Sequence, residues 1–174
     1  APKVQYFVPK NWGQLDVGVE NPAKDSVNQS AKCAGYKRSR QRYDYIKMYP
    51  NLKFTDVDQY ASYDPGALKF TMKVYSTAPV GSLVEIQLGK KSGTAYPAGT
   101  HSQYQAVTTV SGAWEVLEFK YSQTPKGSET SAKEVDQMTL MFLPGGNKQF
   151  QFYFDDVSGP VLTDSQSVKW FRKK

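Results

Sequence analysis

Apolar and polar residues alternate along much of this chain, and no long stretch repeats with helical period. Leu68, Phe70, Met72 and Val74 fall on one side of a strand, with Lys69, Thr71, Lys73 and Tyr75 on the other. Residues 83–88 place Val84, Ile86 and Leu88 inward and Glu85 and Gln87 outward, and residues 150–157 set Phe150, Phe152 and Phe154 against Gln151, Tyr153 and Asp155. Strands are further expected over 101–110, over 114–121 with Leu117, Phe119 and Tyr121 inward, and over the short apolar run 138–143. Residues 30–35 fit a helical turn or the start of a strand equally well, and a turn of helix is expected within 57–62. Asn21-Pro22, Asp64-Pro65-Gly66, Ser111-Gly112 and Pro144-Gly145-Gly146 supply turn chemistry between these elements. Seven or eight short strands without a long helix predict an all-β fold, an antiparallel β-sandwich or jelly roll. It is expected to fill residues 1–162, leaving 163–174 as a tail or linker stub, or as a basic peptide docking through Trp170 and Phe171.

Composition narrows the class. The 174 residues are 39% hydrophobic and 14% aromatic, enough for one domain with its own core and unlike a disordered chain. No apolar run is long enough for a membrane-spanning helix. No charged and apolar leader opens the chain, so any signal peptide is expected to have been removed before Ala1. Cys33, the single cysteine, has no Cys or His neighbour at metal-ligand spacing and reads as a buried structural thiol. A net charge of +6 and a pI near 9.2 direct attention to polyanionic partners.

The basic residues gather with tyrosines. Residues 36–49 hold five cations (Lys37, Arg38, Arg40, Arg42, Lys47) and four rings (Tyr36, Tyr43, Tyr45, Tyr49). Alternation puts Tyr43, Tyr45, Lys47 and Tyr49 on one face and Asp44, Ile46 and Met48 on the other. Such a face can attract an acidic ligand and stack on sugars, or it can simply solvate a tyrosine-rich strand.

Catalytic constellations are sparse. The sequence has no GxSxG, HExxH, Walker or GxGxxG motif. Adjacent strand residues such as Asp155 and Asp156 point to opposite faces and cannot together flank a glycosidic bond, and nothing marks Glu85, Glu115 or Glu118 for that chemistry. A polysaccharide lyase built from His101, the single histidine, a tyrosine such as Tyr104 and the basic strand is the enzymatic alternative. Nucleic acid is disfavoured, because no RRM octamer, KH loop, zinc knuckle or Gly/Arg-rich tail accompanies the basic charge.

The stretch F-Y-F-D-D-V-S-G-P-V-L at 152–162 resembles the closing strand of jelly-roll carbohydrate-binding modules. Four further segments agree: N-P-A-K-D-S-V-N-Q-S-A-K at 21–32, A-P-V-G at 78–81, Y-P-A-G-T-H-S-Q-Y-Q-A at 96–106 and G-A-W-E-V-L-E-F at 112–119. These look like modules appended to secreted polysaccharide-degrading enzymes of marine Bacteroidetes-type bacteria. The resemblance implies a non-catalytic module, secreted or at the cell surface, that anchors a parent catalytic domain to its polysaccharide. It also implies a structural calcium ion, with Asp155 or Asp156 at the matching position and Glu20 and N-terminal carbonyls as partners. Ligand residues on the concave face would be Tyr43, Tyr45, Lys47, Lys69, Thr71 and Lys73, beside Arg40 and Arg42 of the basic stretch, with Trp12, Tyr96 and His101 in the edge loops. The cationic rows suggest an acidic, sulfated algal polysaccharide such as porphyran, agar or carrageenan. A cell-surface adhesion domain of the same fold is a third reading.

Overall fold

The computed structural model describes residues 4–92 and 95–163. Ten strands among the described residues form one antiparallel ribbon: β1 (Gln5–Phe7), β2 (Gln14–Glu20), β3 (Lys32–Lys37), β4 (Ile46–Tyr49), β5 (Phe70–Ser76), β6 (Leu83–Gly89), β7 (Thr100–Val107), β8 (Trp114–Gln123), β9 (Gln137–Phe142) and β10 (Gln151–Ser158). They lie in the order β1-β4-β9-β6-β7-β8-β5-β10-β3-β2. The ribbon turns its corner at β8, whose first part pairs with β5 (Phe119 opposite Phe70) and whose end pairs with β7 (Tyr121 opposite Tyr104). A front leaf, β1-β4-β9-β6-β7, thereby faces a back leaf, β5-β10-β3-β2, as the all-β sandwich expectation required.

Between the leaves lies one core, containing Ile46, Met48, Val84, Ile86, Leu88, Leu140 and Phe142 from the front and Phe70, Met72, Val74, Phe152 and Phe154 from the back. These are the inward positions of the strands, so the two-residue period is what closes the sandwich. Phe142 stacks on Phe152 at 4.5 Å and on Tyr36 at 6.1 Å, tying the leaves together.

The elements depart from the sequence pattern where neighbours on both sides override it. Of residues 30–35, positions 32–35 open β3, which is buried on both faces from Cys33 to Tyr36 and so shows no alternation. The expected helical turn is a 3-10 turn at Val57–Gln59. In the basic stretch only Ile46–Tyr49 is strand. Asp44, 1% exposed, accepts hydrogen bonds from the Tyr36 hydroxyl and from the Ser39 amide at 2.6 Å, which bends 39–45 into a loop. Arg38 is equally buried and donates to the carbonyls of Phe142 (2.5 Å), Lys148 (2.8 Å) and Gln41 (2.9 Å). One of the five cations therefore holds loops together instead of facing a ligand. Residues 164–174, including Trp170 and Phe171, lie outside the described residues. Among those described, no helix is long and apolar enough to cross a membrane.

Candidate functional site

The outward side of the front leaf carries side chains in cross-strand rows, because antiparallel partners point the same way. One row runs Phe7, Lys47, Thr139, Gln87, Gln103, Gln123 across six strands. The next runs Met141, Glu85, Gln105, Lys120. At the centre these outward residues are scarcely exposed: Glu85 6%, Gln103 5%, Thr139 7%, Met141 6%. The margins stand proud, with Phe7 47% and Tyr96 55% exposed. The face is thus a trough with a polar floor.

Glu85 organises that floor. Its Oε1 accepts from Gln105 Nε2 at 2.8 Å, and its Oε2 accepts from Gln87 Nε2 at 2.7 Å and Gln103 Nε2 at 3.2 Å. Gln103 Oε1 in turn accepts from Gln123 Nε2 at 3.0 Å and from the Tyr96 hydroxyl at 3.1 Å. Side chains cross-linked in this way hold fixed rotamers, so donors and acceptors are aimed before a ligand arrives.

The β1/β4 margin is aromatic. Trp12, in the turn closed by its amide donating to Pro9 O at 3.1 Å, meets Tyr45 edge-on at 5.4 Å, and Phe7 lies 6.5 Å from the same ring. Lys47 Nζ sits 5.1 Å from the Tyr45 centroid, and Lys91 Nζ 5.0 Å from that of Tyr49. Partial burial pulls the Lys47 amine below the usual lysine range and pushes the Tyr45 phenol up. Lys47 takes part in none of the ion pairs among the described residues.

Of the expected ligand residues, the structure brings Trp12, Tyr45 and Lys47 together at one margin of the trough and sets Tyr96 against its floor through Gln103. Arg40, Arg42 and Tyr43 are exposed in the β3–β4 loop. Lys69 and Lys73 do not join them: Lys73 is on β5 in the back leaf, where it pairs with Asp156 at 2.8 Å, and Lys69 immediately precedes that strand. The two basic rows read as one face in sequence lie on different leaves. His101 is the extra residue between the pairs Leu88–Ser102 and Gly89–Thr100. Its Nδ1 lies 3.0 Å from Ser102 Oγ, itself 2.7 Å from the Tyr104 hydroxyl. Burial lowers the His101 pKa, partly offset by Asp58. Ser102 and Tyr104 are fully buried, so this chain of polar groups enters the core and not the trough.

The carboxylates expected to hold a metal are likewise separated. Glu20 pairs with Lys32 at the surface. An irregularity in β10 after Asp155, with Asp156 at φ 51°, carries Asp156 to Lys73, so the two adjacent carboxylates do not simply alternate faces. Asp155, 6% exposed, accepts from Asn28 Nδ2 at 3.2 Å, and Asn28 is wholly buried. Burial, reinforced by Asp155, raises the nearby Cys33 thiol to about 12, the structural thiol expected of it.

Sequence reasoning singled out the rings and cations and passed over Gln87, Gln103, Gln105, Gln123 and Thr139. The available signal was the pair of outward-phased segments Glu85-Ile86-Gln87 and Gln103-Tyr104-Gln105, which the register sets side by side.

No protein-family model matches the sequence, and no curated protein matches it. Solved structures do match in shape. The family 11 carbohydrate-binding module of the cellulosomal cellulase Lic26A-Cel5E of Clostridium thermocellum is 13% identical with a TM-score of 0.51, covering 88% of this chain and 85% of that one. A family 30 carbohydrate-binding module is 11% identical with a TM-score of 0.50, over 87% and 75% of the two chains. The fold is shared with β-sandwich carbohydrate-binding modules. It also matches part of PfGH50B, at 7% identity and a TM-score of 0.53, covering 94% of this chain and 24% of that larger one. At such identities the likeness is one of fold, and the residues of the trough have to be read from their own chemistry.

Proposed function

We propose that this chain is a non-catalytic carbohydrate-binding module whose ligand lies in the trough of the front leaf. The observation that carries the reading is the Glu85 network: a recessed floor of preset amide and carboxylate groups, bordered by Trp12, Tyr45 and Tyr96. Amides and carboxylates match sugar hydroxyls, which both donate and accept, while aromatic faces take the apolar C–H faces of the rings. Glu85 is the one carboxylate in the two rows, and a glycosidase needs a second facing it. In the lyase alternative, Tyr104 would have to leave the core to reach substrate.

An acidic, sulfated algal polysaccharide such as porphyran, agar or carrageenan is the proposed ligand. Lys47, in none of the ion pairs among the described residues and partly desolvated at the trough margin, with Lys91 beyond it, would meet sulfate groups while neutral hydroxyls lie over Glu85. The module would be secreted and hold a parent enzyme on this substrate, as the carbohydrate-binding-module fold suits.

Calcium belongs to the proposal at one point. Asp155 is a buried carboxylate held by two neutral donors, the Asn28 side-chain amide on Oδ2 and the Asp156 backbone amide on Oδ1, and it joins no ion pair among the described residues, a setting that suits a cation. Among the described residues no three His, Cys, Asp or Glu side chains cluster, so Asp155 would hold such an ion with carbonyl oxygens of the 21–31 turn that Asn28 belongs to, whereas Glu20 and Asp156 are engaged by lysines. Bound there, it would brace that turn against β10.

Affinity electrophoresis through agar, porphyran, carrageenan, alginate and laminarin, with the ultraviolet absorbance of unsaturated products followed in parallel, tests the function. Retardation by an acidic polysaccharide without new absorbance is expected. New absorbance would make the protein a lyase, and retardation by laminarin alone would overturn the acidic specificity.

A further inference from the structure

A second concavity lies away from the trough floor, where β8 turns from one leaf to the other. It has a volume of about 390 Å³ and is lined by Tyr63, Asp64, Leu68, Lys69, Lys120 and Tyr121, among others. Two tyrosine rings form one wall, with centroids 4.7 Å apart and planes 54° from each other. Each ring is fixed by its hydroxyl: Tyr63 donates to Ser122 O at 2.7 Å, and the Tyr121 hydroxyl lies 2.7 Å from Thr124 Oγ1. Tyr63 is nonetheless 73% exposed and Leu68 45%, so the wall is rigid and open to solvent at once.

Two cations, Lys69 and Lys120, line this cleft. Lys69, just before β5, and Lys120, just past Phe119 in β8, flank the cross-strand pair Phe70–Phe119. Two like charges lining one cleft repel each other unless an anion joins them. Neither lysine joins an ion pair among the described residues, and the recorded contact of Lys69 Nζ is a long one, 3.4 Å to Ala67 O. Asp64 lines the same cleft, but its Oδ1 is committed to the Gly66 amide at 2.8 Å.

We infer that this cleft is a second ligand site, for a sugar unit bearing a single negative charge, a sulfate ester or a uronate carboxylate. Two ammonium groups against one carboxylate leave the cleft one positive charge in excess. That balance suits a monoanionic group better than a phosphate monoester, which carries nearly two charges at neutral pH. The two rings, in contact with centroids 4.7 Å apart, form a single apolar wall on which the C–H face of a pyranose can stack. Asp64 Oδ2, which accepts no hydrogen bond among the described residues, then accepts from a ring hydroxyl. The site stands on its own geometry. Lys120 also neighbours Gln105 at the trough margin, so Tyr63 and Lys69, which lie in neither trough row, are the residues that separate the two sites.

The test is amide and side-chain chemical-shift mapping of the full chain during titration with a monosulfated galactan disaccharide and with its desulfated counterpart. The sulfated probe is expected to move the signals of 62–69 and 120–121. Lys69→Met should weaken that response by about tenfold, as losing a charged hydrogen-bond partner does, with shifts on Gln87 and Gln103 unaltered. Tyr63→Ala should weaken it similarly. Shifts confined to the trough, or no shifts at all, would overturn the second site. Equal responses to the two probes, or an unchanged response in Lys69→Met, would overturn its anionic specificity. Binding in the trough is read from separate signals, so either reading can fail without the other.

Discussion

Gln103 donates from Nε2 to Glu85 Oε2 at 3.2 Å while its own Oε1 receives the Tyr96 hydroxyl at 3.1 Å. The pair joins an exposed loop ring to a nearly buried carboxylate through one side chain, and it shows how the trough is kept in register from margin to centre. Replacing Glu85 by Gln keeps the volume but puts an amide N–H₂ in place of one oxygen, so at least one of the three donating amides loses its acceptor. Affinity for the retained polysaccharide should fall by about tenfold or more, and the melting temperature by a few degrees, as expected for unpaired buried donors. Titration calorimetry beside thermal denaturation measures both. Unchanged affinity would remove Glu85 from the site.

Asp155 provides a metal test. Calcium should raise the melting temperature of the chelated wild-type protein, and Asp155→Asn should abolish the rise. Glu20→Gln should leave it intact, since that carboxylate already serves Lys32. A melting temperature that does not respond to calcium would remove the ion from the account.

Asp44 should matter for stability more than for binding. Asp44→Ala strands the Tyr36 hydroxyl and the Ser39 amide in a buried setting, a loss of about 3 kcal/mol. Adding Tyr36→Phe should cost less in the Asp44→Ala background than alone, and urea titration of the double-mutant cycle reads the difference. Additive losses would mean that the two side chains are not coupled.

His101 gives a pH dependence with a definite sign. Its folded pKa lies below the unfolded value of 6.5, so the unfolded chain takes up the proton more readily. Its contribution to stability is complete above 6.5 and is lost as pH falls from there through the folded pKa. His101→Asn should therefore lose less stability between neutral and mildly acidic pH than the wild type does. Parallel melting curves for the two proteins would contradict the burial of this ring.

The strands with one wet face were legible in the sequence. Phe70, Met72 and Val74 alternate as a half-buried strand must, and so do Val84, Ile86 and Leu88. β3 was not legible, because Cys33, Ala34, Gly35 and Tyr36 are covered on both sides and leave no period to read. Alternation also divides a strand into two faces without saying which leaf receives it, which is why Lys73 was grouped with Lys47 although β5 and β4 lie in different leaves. Trp12, Tyr45 and Tyr96 were conspicuous as rings. Gln87 and Gln103 looked like any solvated outward residues. They become a floor only when β6 pairs with β7 and β9, and that long-range pairing is invisible to local pattern.

The central claim is that the trough of the front leaf holds the polysaccharide. The most direct measurement compares wild type with the Gln87→Ala/Gln103→Ala double variant by affinity electrophoresis on porphyran, after circular dichroism has established that both are folded. The account expects strong retardation of the wild type and clearly weaker retardation of the variant, which keeps only the cleft beside β8. Equal retardation of the two would contradict it and place binding elsewhere on the molecule.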